Sequence, residues 1–296
     1  MLVLIGLTAL CVPVLGQVAN IDEYQQDILD WHARREEGLR RETGWFSVIG
    51  RFPLEQGTNT FGSAEESDLR FPDGAPDHAG VLELDVGDVT IIVEPGVAVF
   101  EDGVPVNRMQ MIPDTEEGTT VLHMKNRFQF YVIERAGRQY LRIKDRESRA
   151  LKEFTHVERF DIDPAWRIEG RWEAYDPPKK IRTPNVLGHD VEEDCPGIAT
   201  FEINGETYRL EPTGKPEEYL WFVFGDATNV YETYGGGRYM YTDPPDSNGV
   251  VVLDFNKCYN PPCIFTAHAT CPLPRAVNKL SIRIEAGEKM YYVEGH

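Results

Sequence analysis

A mainly β chain led by one amphipathic helix is what this sequence predicts, and three observations carry the prediction. Apolar side chains recur at helical spacing over residues 20–42. From Trp45 onward the period falls to two, with turn formers every eight to twelve positions. Asn204-Gly205, between two runs of strand-forming residues, is the strongest hairpin signal in the chain.

The elements follow in order. Residues 1–16, MLVLIGLTALCVPVLG, are apolar and uncharged and end in small or branched residues, which predicts a secretory signal peptide cleaved after Gly16. A lipid anchor on Cys11 is the alternative, opposed by Leu10 where such signals require a small residue. Asn20 followed by Glu23 makes a capping box, and Ile21, Tyr24, Ile28, Trp31 and Leu39 form the apolar stripe of a helix that docks on the body of the fold. Residues 45–150 are expected to build a β-sandwich domain, with strands at Val81–Val86, Val89–Val93, Thr120–Met124, Phe128–Glu134 and Tyr140–Lys144. Gly87, Gly96, Gly103 and Gly137 punctuate them. A charged connector around residues 145–165 leads to a second β-rich domain at 160–296 with long structured loops. Its strands are expected at Trp166–Tyr175, ended by Pro177-Pro178, then at Thr200–Ile203, Thr207–Leu210, Tyr219–Phe224, Val250–Phe255 and Leu280–Glu285.

Charge narrows the class of partner. Forty-nine acidic against thirty basic residues leave a net charge of −19, which repels polyanions and argues against nucleic acid and anionic membrane surfaces as partners. No apolar run after the first sixteen residues is long enough to span a membrane as a helix, so a secreted or periplasmic protein is expected.

The unusual residues concentrate in 226–274, which holds three consecutive glycines, three cysteines and six prolines. Such a stretch is too rich in aromatics and cysteines for disorder, so a structured and functional loop region is expected. Gly235-Gly236-Gly237-Arg238 offers backbone N–H groups and a guanidinium to an anion, or simply a tight turn. Glu232 and Asp254 are candidates for a general acid and base pair. Cys258, Cys263, His268 and Cys271 are ligand types that zinc prefers, at a spacing that fits no known zinc module. In an oxidising compartment a disulfide is the simpler fate of the thiols, and Cys263 to Cys271 closes the smallest plausible loop, so no metal and no cofactor is expected. The prolines at 261, 262, 272 and 274 stiffen the backbone that carries Asn256, Tyr259 and Asn260.

Two resemblances follow from particular residues. Asn59-Thr60-Phe61-Gly62-Ser63, Asp68 to Pro72, His78 and Glu101 to Val106 resemble a forkhead-associated sandwich, with Ser63 where that family places its phosphate-binding arginine. Gly225 to Thr228, Glu232 to Tyr239, Asp254-Phe255-Asn256, Tyr259 to Cys263, Phe265-Thr266, Ala269 to Pro274 and Ala286 to Lys289 closely resemble the bacterial family named domain of unknown function 1684, from about Trp45 to the end. That resemblance implies an extracytoplasmic protein and brings no established activity. It includes the equivalents of Cys263 and Cys271 but usually a small residue for Cys258 and a tyrosine for His268.

Three functions are compatible with these residues. The first is a noncatalytic module binding a small polar ligand or peptide in a cleft formed by 226–274, through Tyr234, Arg238, Asn256, Tyr259 and Asn260. The second is a hydrolase using Glu232 and Asp254, and the third a structural or interaction protein without a small-molecule site.

Overall fold

The structure, a computed structural model, describes residues 20–292, so the expected signal peptide lies outside the described residues. The helix runs Ile21–Arg40, with the Asn20 side chain accepting from the Glu23 amide and Asp22 and Glu23 in the positive first turn. Tyr24, Ile28, His32 and Leu39 form its buried face, whereas Ile21 is exposed. The stripe is therefore rotated slightly from the expected one, with His32 taken into it.

Two antiparallel sheets then pack face to face. The six-stranded sheet runs Val48–Pro53, Arg138–Asp145, Phe128–Arg135, Leu122–Met124, Val99–Glu101 and Val104–Pro105 from edge to edge. The five-stranded one runs Leu69–Arg70, Gly57–Gly62, Gly80–Asp85, Asp88–Val93 and Arg108–Met111, with a single parallel pairing between its first two strands. Phe61, Leu82, Ile91, Leu122, Phe130, Leu141 and Ile143 fill the space between them. Because strand side chains alternate, burying Leu141 and Ile143 in this core turns Tyr140, Arg142 and Lys144 to the outer face.

The later strands form a four-stranded sheet, ordered Glu206–Leu210, Asp190–Ile203, Arg167–Pro184 and Val250–Asp254, and a three-stranded sheet of Thr213–Lys215, Tyr219–Phe224 and Arg238–Thr242. Phe201, Phe222, Phe224, Met240, Leu253 and Phe255 make their common core. The hairpin at Asn204-Gly205 has positive φ at both residues, 53° and 81°, as a tight primed turn requires. Two expectations fail here. Pro177-Pro178 does not end its strand, because the ladder with Asp190–Ile203 skips from Ala174 to Lys179 and that irregularity absorbs the missing amide donors. Leu280–Glu285 is not a strand: its amides and carbonyls meet the loop at 225–227, with Leu280 donating to Gly225 and Ala227 to Ile282, so no ladder forms.

Arg238 is fully buried and ties this loop region together. Its guanidinium pairs with buried Asp226, donates to the carbonyls of Ile284 and Ala286 and lies 5.4 Å from the centre of the Phe224 ring. Asp226 in turn accepts from the Thr228 amide at 2.9 Å and its hydroxyl at 2.7 Å. Removing one member of such a pair strands the other charge in a low dielectric. The variant Asp226→Ala is expected to lose about 3–5 kcal/mol in urea unfolding, and a loss below about 1 kcal/mol would contradict a structural role for the pair.

Candidate functional site

The helix, the six-stranded sheet and the carboxy-terminal loops meet around an open cleft of 680 Å³. That volume lies in the range of small-molecule sites. One wall is aromatic. Trp221 and Tyr241 are opposite residues of paired strands, and their rings stack at 6.0 Å and 22°. Tyr241 stacks on Tyr259 at 5.9 Å and 11°, and Trp31 from the helix lies 6.4 Å from Tyr259. The backbone of Tyr259 pairs with that of Tyr239, and its hydroxyl accepts from the Trp221 indole N–H at 3.2 Å, so the wall is held rigid.

Four cations also line the cleft, Arg34, Arg35, Arg135 and Arg142, with no carboxylate among the lining residues, and the Arg35 guanidinium lies 4.9 Å from the centre of the Tyr259 ring. Two of these are satisfied by the protein. Arg35 donates to Glu288 at 3.2 Å and to the Asn260 carbonyl at 3.0 Å, and Arg135 grips Asp114 in a fork at 2.8 and 2.7 Å. Arg142 differs. It is 4% exposed, yet among the described residues no carboxylate lies within ion-pair distance of it. It stacks over Trp45 at 5.4 Å and reaches the His268 carbonyl at 3.4 Å, while its buried Nε has no partner. Register makes this worse, since Arg51 is its direct cross-strand neighbour. Burial holds the Arg51 guanidinium below its ordinary value, with Arg142 adding to the shift. Burial, then Arg51 and Arg142, do the same to the His268 imidazole. Burial and Arg142 push the amine of Lys144, two residues along the same strand, down to about 8. A patch of cations without counter-charge is thus built into a chain whose net charge is −19.

Of the candidate binding, catalytic and cysteine residues singled out from sequence, only Tyr259 and Cys271 line this cleft, together with Pro262 and Pro272 of the stiffened loop. Arg238 is spent on Asp226. Asn256 is buried, donating through its side chain to Tyr24 and to the Asp163 carbonyl, both at 2.9 Å. Asn260 donates to the Lys289 carbonyl at 2.7 Å and its amide to Glu288 at 2.7 Å. These three act as internal braces, each tied to partners inside the fold, although Arg238 Nε and Asn260 Oδ1 are left without a hydrogen bond. Tyr234 is half-buried beside Cys263, where burial and that thiol raise its pKa. Glu232 sits at the surface in an ion pair with Arg283. Asp254 is buried, caps the turn at Phe255–Lys257 and accepts from the Tyr24 hydroxyl at 2.9 Å. The two carboxylates therefore serve separate elements, and neither lines the cleft.

The thiols also depart from expectation. Cys195, Cys258, Cys263 and Cys271 are all free. In place of a bridge, the turn at Pro262–Ile264 aims the Cys263 amide at the Cys271 sulfur, 3.1 Å away. The hydrogen bond from the Cys271 thiol lowers the Cys263 pKa, and the same contact raises that of Cys271. Cys258 lies in the second apolar core and His268 beside Arg51 and Arg142, so the four potential zinc ligands do not converge. Among the described residues no three His, Cys, Asp or Glu side chains are disposed to hold a metal ion. No described helix is long and apolar enough to cross a membrane.

Residues 152–289 match the family model described as Protein of unknown function (DUF1684), a narrower span than the resemblance from Trp45 onward. No curated protein matches the chain. Among solved structures, an uncharacterised protein of Haloarcula marismortui studied by solution NMR is 29% identical, over 48% of this chain and 80% of that one, with a TM-score of 0.40. The FHA domain of FhaA, crystallised with an intracellular domain, is 16% identical over 31% of this chain and 86% of that one, with a TM-score of 0.22. An FHA domain from a study of phosphothreonine-dependent interactions gives the same identity and TM-score over 79% of its length.

The uncompensated cations have a measurable signature. The folded chain holds Lys144 near 8 against an ordinary 10.5, so between those values the unfolded state binds more protons and stability rises with pH. Lys144→Met is expected to be more stable than the parent near neutral pH, by urea titration, and to lose this rise. A parent curve as flat as that of the variant would show that Lys144 carries no such penalty.

Proposed function

We propose that this is a noncatalytic binding protein for a small anion with a flat apolar body, seated in the cleft between the helix, the sandwich and the carboxy-terminal loops. The observation that carries this reading is Arg142, buried at the cleft without a carboxylate and with an unpartnered Nε. A buried cation of that kind costs stability unless something brings the missing negative charge. A ligand carboxylate or similar group would supply it, and the stacked rings of Trp221, Tyr241 and Tyr259 would cover a planar body. This is a narrower form of the small polar ligand expected from sequence, with different residues holding it. An extracytoplasmic setting belongs to the same proposal and is supported by the apolar, uncharged first sixteen residues.

The test separates charge from shape. Adding 2-naphthoate is expected to raise the melting temperature and to change the fluorescence of the cleft tryptophans, since a ligand that binds only the folded state stabilises it by mass action. The neutral isostere 2-naphthalenemethanol is expected to do neither at the same concentration. Arg142→Met is expected to remain folded, with a melting temperature at or above that of the parent, and to lose the response to naphthoate. Equal responses to acid and alcohol, or an undiminished response in the variant, would remove the basis for the proposal.

A further inference from the structure

Behind the cleft lies a second, smaller cavity of 400 Å³, enclosed by the end of the helix, the turn at Thr43-Gly44-Trp45 and the outer face of the six-stranded sheet. It shares Arg35, Trp45 and Arg142 with the aromatic cleft and adds Arg41, Tyr131 and Lys144. Four cations and no carboxylate line it. Gly44 closes the turn tightly: a Cβ there would sit 2.7 to 2.9 Å from the carbonyl oxygens of Leu39, Gly38 and Arg41. The rim therefore has a backbone path that only glycine follows without displacing its neighbours.

The charged groups facing Lys144 come from three directions. On its own strand, Arg142 stands two residues away on the same face, about 7 Å along the strand. From the helix comes Arg35, whose carboxylate partner is buried Glu288, and from the extended residue just after it Arg41, 3.8 Å from exposed Glu37. Across the sheet its register neighbours are Val48 and Gln129, both uncharged, and its amine lies 5.6 Å from the Tyr131 ring. Among the described residues the amine donates one hydrogen bond, to the Thr43 carbonyl at 2.6 Å, which leaves it further protons to donate. Arg142 and Lys144 thus form an uncompensated pair, 4% exposed in the one case and partly buried in the other.

We infer that this cavity binds a compact doubly charged oxyanion of the phosphate or sulfate class between Lys144, Arg142 and Arg41. A dianion matches the two missing negative charges, and tetrahedral oxygens can accept from an ammonium and a guanidinium at once. The inference shares Arg142 with the aromatic cleft but does not require that anything bind there. The oxyanion is either free or the end group of a larger ligand whose flat part occupies the cleft.

Binding should carry a proton with it. An anion beside Lys144 favours the ammonium, so its pKa rises from about 8 in the free protein and the complex holds more protons. Affinity therefore falls as pH rises through 8, by roughly tenfold per pH unit once the free amine is neutral.

Sulfate is the probe, because its own charge does not change over this range. Calorimetric titration of the folded chain with sodium sulfate, at constant ionic strength from about pH 7 to pH 9.5, is expected to show that loss of affinity. Lys144→Gln keeps a donor for Thr43 and is expected to weaken binding at least tenfold and abolish the pH dependence, whereas Lys144→Arg keeps binding and shifts the dependence out of range. Two further arms identify the source. If 1-naphthyl phosphate binds at least tenfold more tightly than inorganic phosphate and is displaced by 2-naphthoate, the oxyanion is the end group of a cleft ligand. If inorganic phosphate binds and naphthyl phosphate gains nothing, it is a free ion. Absence of binding by sulfate, phosphate and naphthyl phosphate alike, or affinity that Lys144→Gln leaves unchanged, overturns the inference. A naphthoate response that survives such a result leaves the aromatic cleft standing, and sulfate binding without a naphthoate response does the reverse.

Discussion

The seam between the first forty residues and the last fifty is the constraint on which the rest depends. Tyr24 donates to Asp254, the His32 imidazole meets the Asn256 carbonyl at 3.1 Å, and Arg35 bridges Glu288 and the Asn260 carbonyl. Each bond is buried or partly buried and joins residues more than two hundred positions apart, so it forms only when the whole chain has folded. Burial pushes the Asp254 carboxyl above its usual range, with Tyr24 and Asn256 opposing the shift, and it lowers the His32 pKa. Both groups answer to the seam and to nothing in the cleft. Trp31, Arg34 and Arg35 are the consequence, since the helix must lie in this one orientation for them to close a wall.

Within that frame the chain separates two kinds of arginine. Arg238, Arg135 and Arg35 are matched to carboxylates and act as braces, whereas Arg142 faces two cavities without one. A structural arginine at this position would be expected to bring its counter-charge with it, as the others do. Stability is given up where the cross-strand pair Arg51 and Arg142 crowds like charges, and such a loss persists in native proteins chiefly where function needs it.

Much of the fold was legible. Asn20 with Glu23 marked the helix start, period-two alternation marked the sandwich strands, and Asn204-Gly205 marked its hairpin, because each of those signals is local. Leu280, Ile282 and Ile284 alternate as a strand would, but their partner is the loop at 225–227, and a partner cannot be read from periodicity. The site was largely hidden for the same reason. Segment 226–274 is marked in the sequence by its glycines and prolines, yet Arg238, Asn256 and Asn260 are what hold that irregular backbone in place. Arg142 lies in an ordinary strand between Leu141 and Ile143. The one available signal was two cations, Arg142 and Lys144, on the outer side of a strand whose inner side carries Leu141 and Ile143, and its meaning depends on register with Arg51 and on what covers the sheet.

Anomalous diffraction from crystals grown with 4-bromobenzoate tests the central claim most directly. A bromine peak among Trp31, Tyr241 and Tyr259, with carboxylate density on the Arg142 guanidinium, is the result this account predicts. An empty cleft at saturating ligand, or a protein carboxylate occupying the face of Arg142, would contradict it.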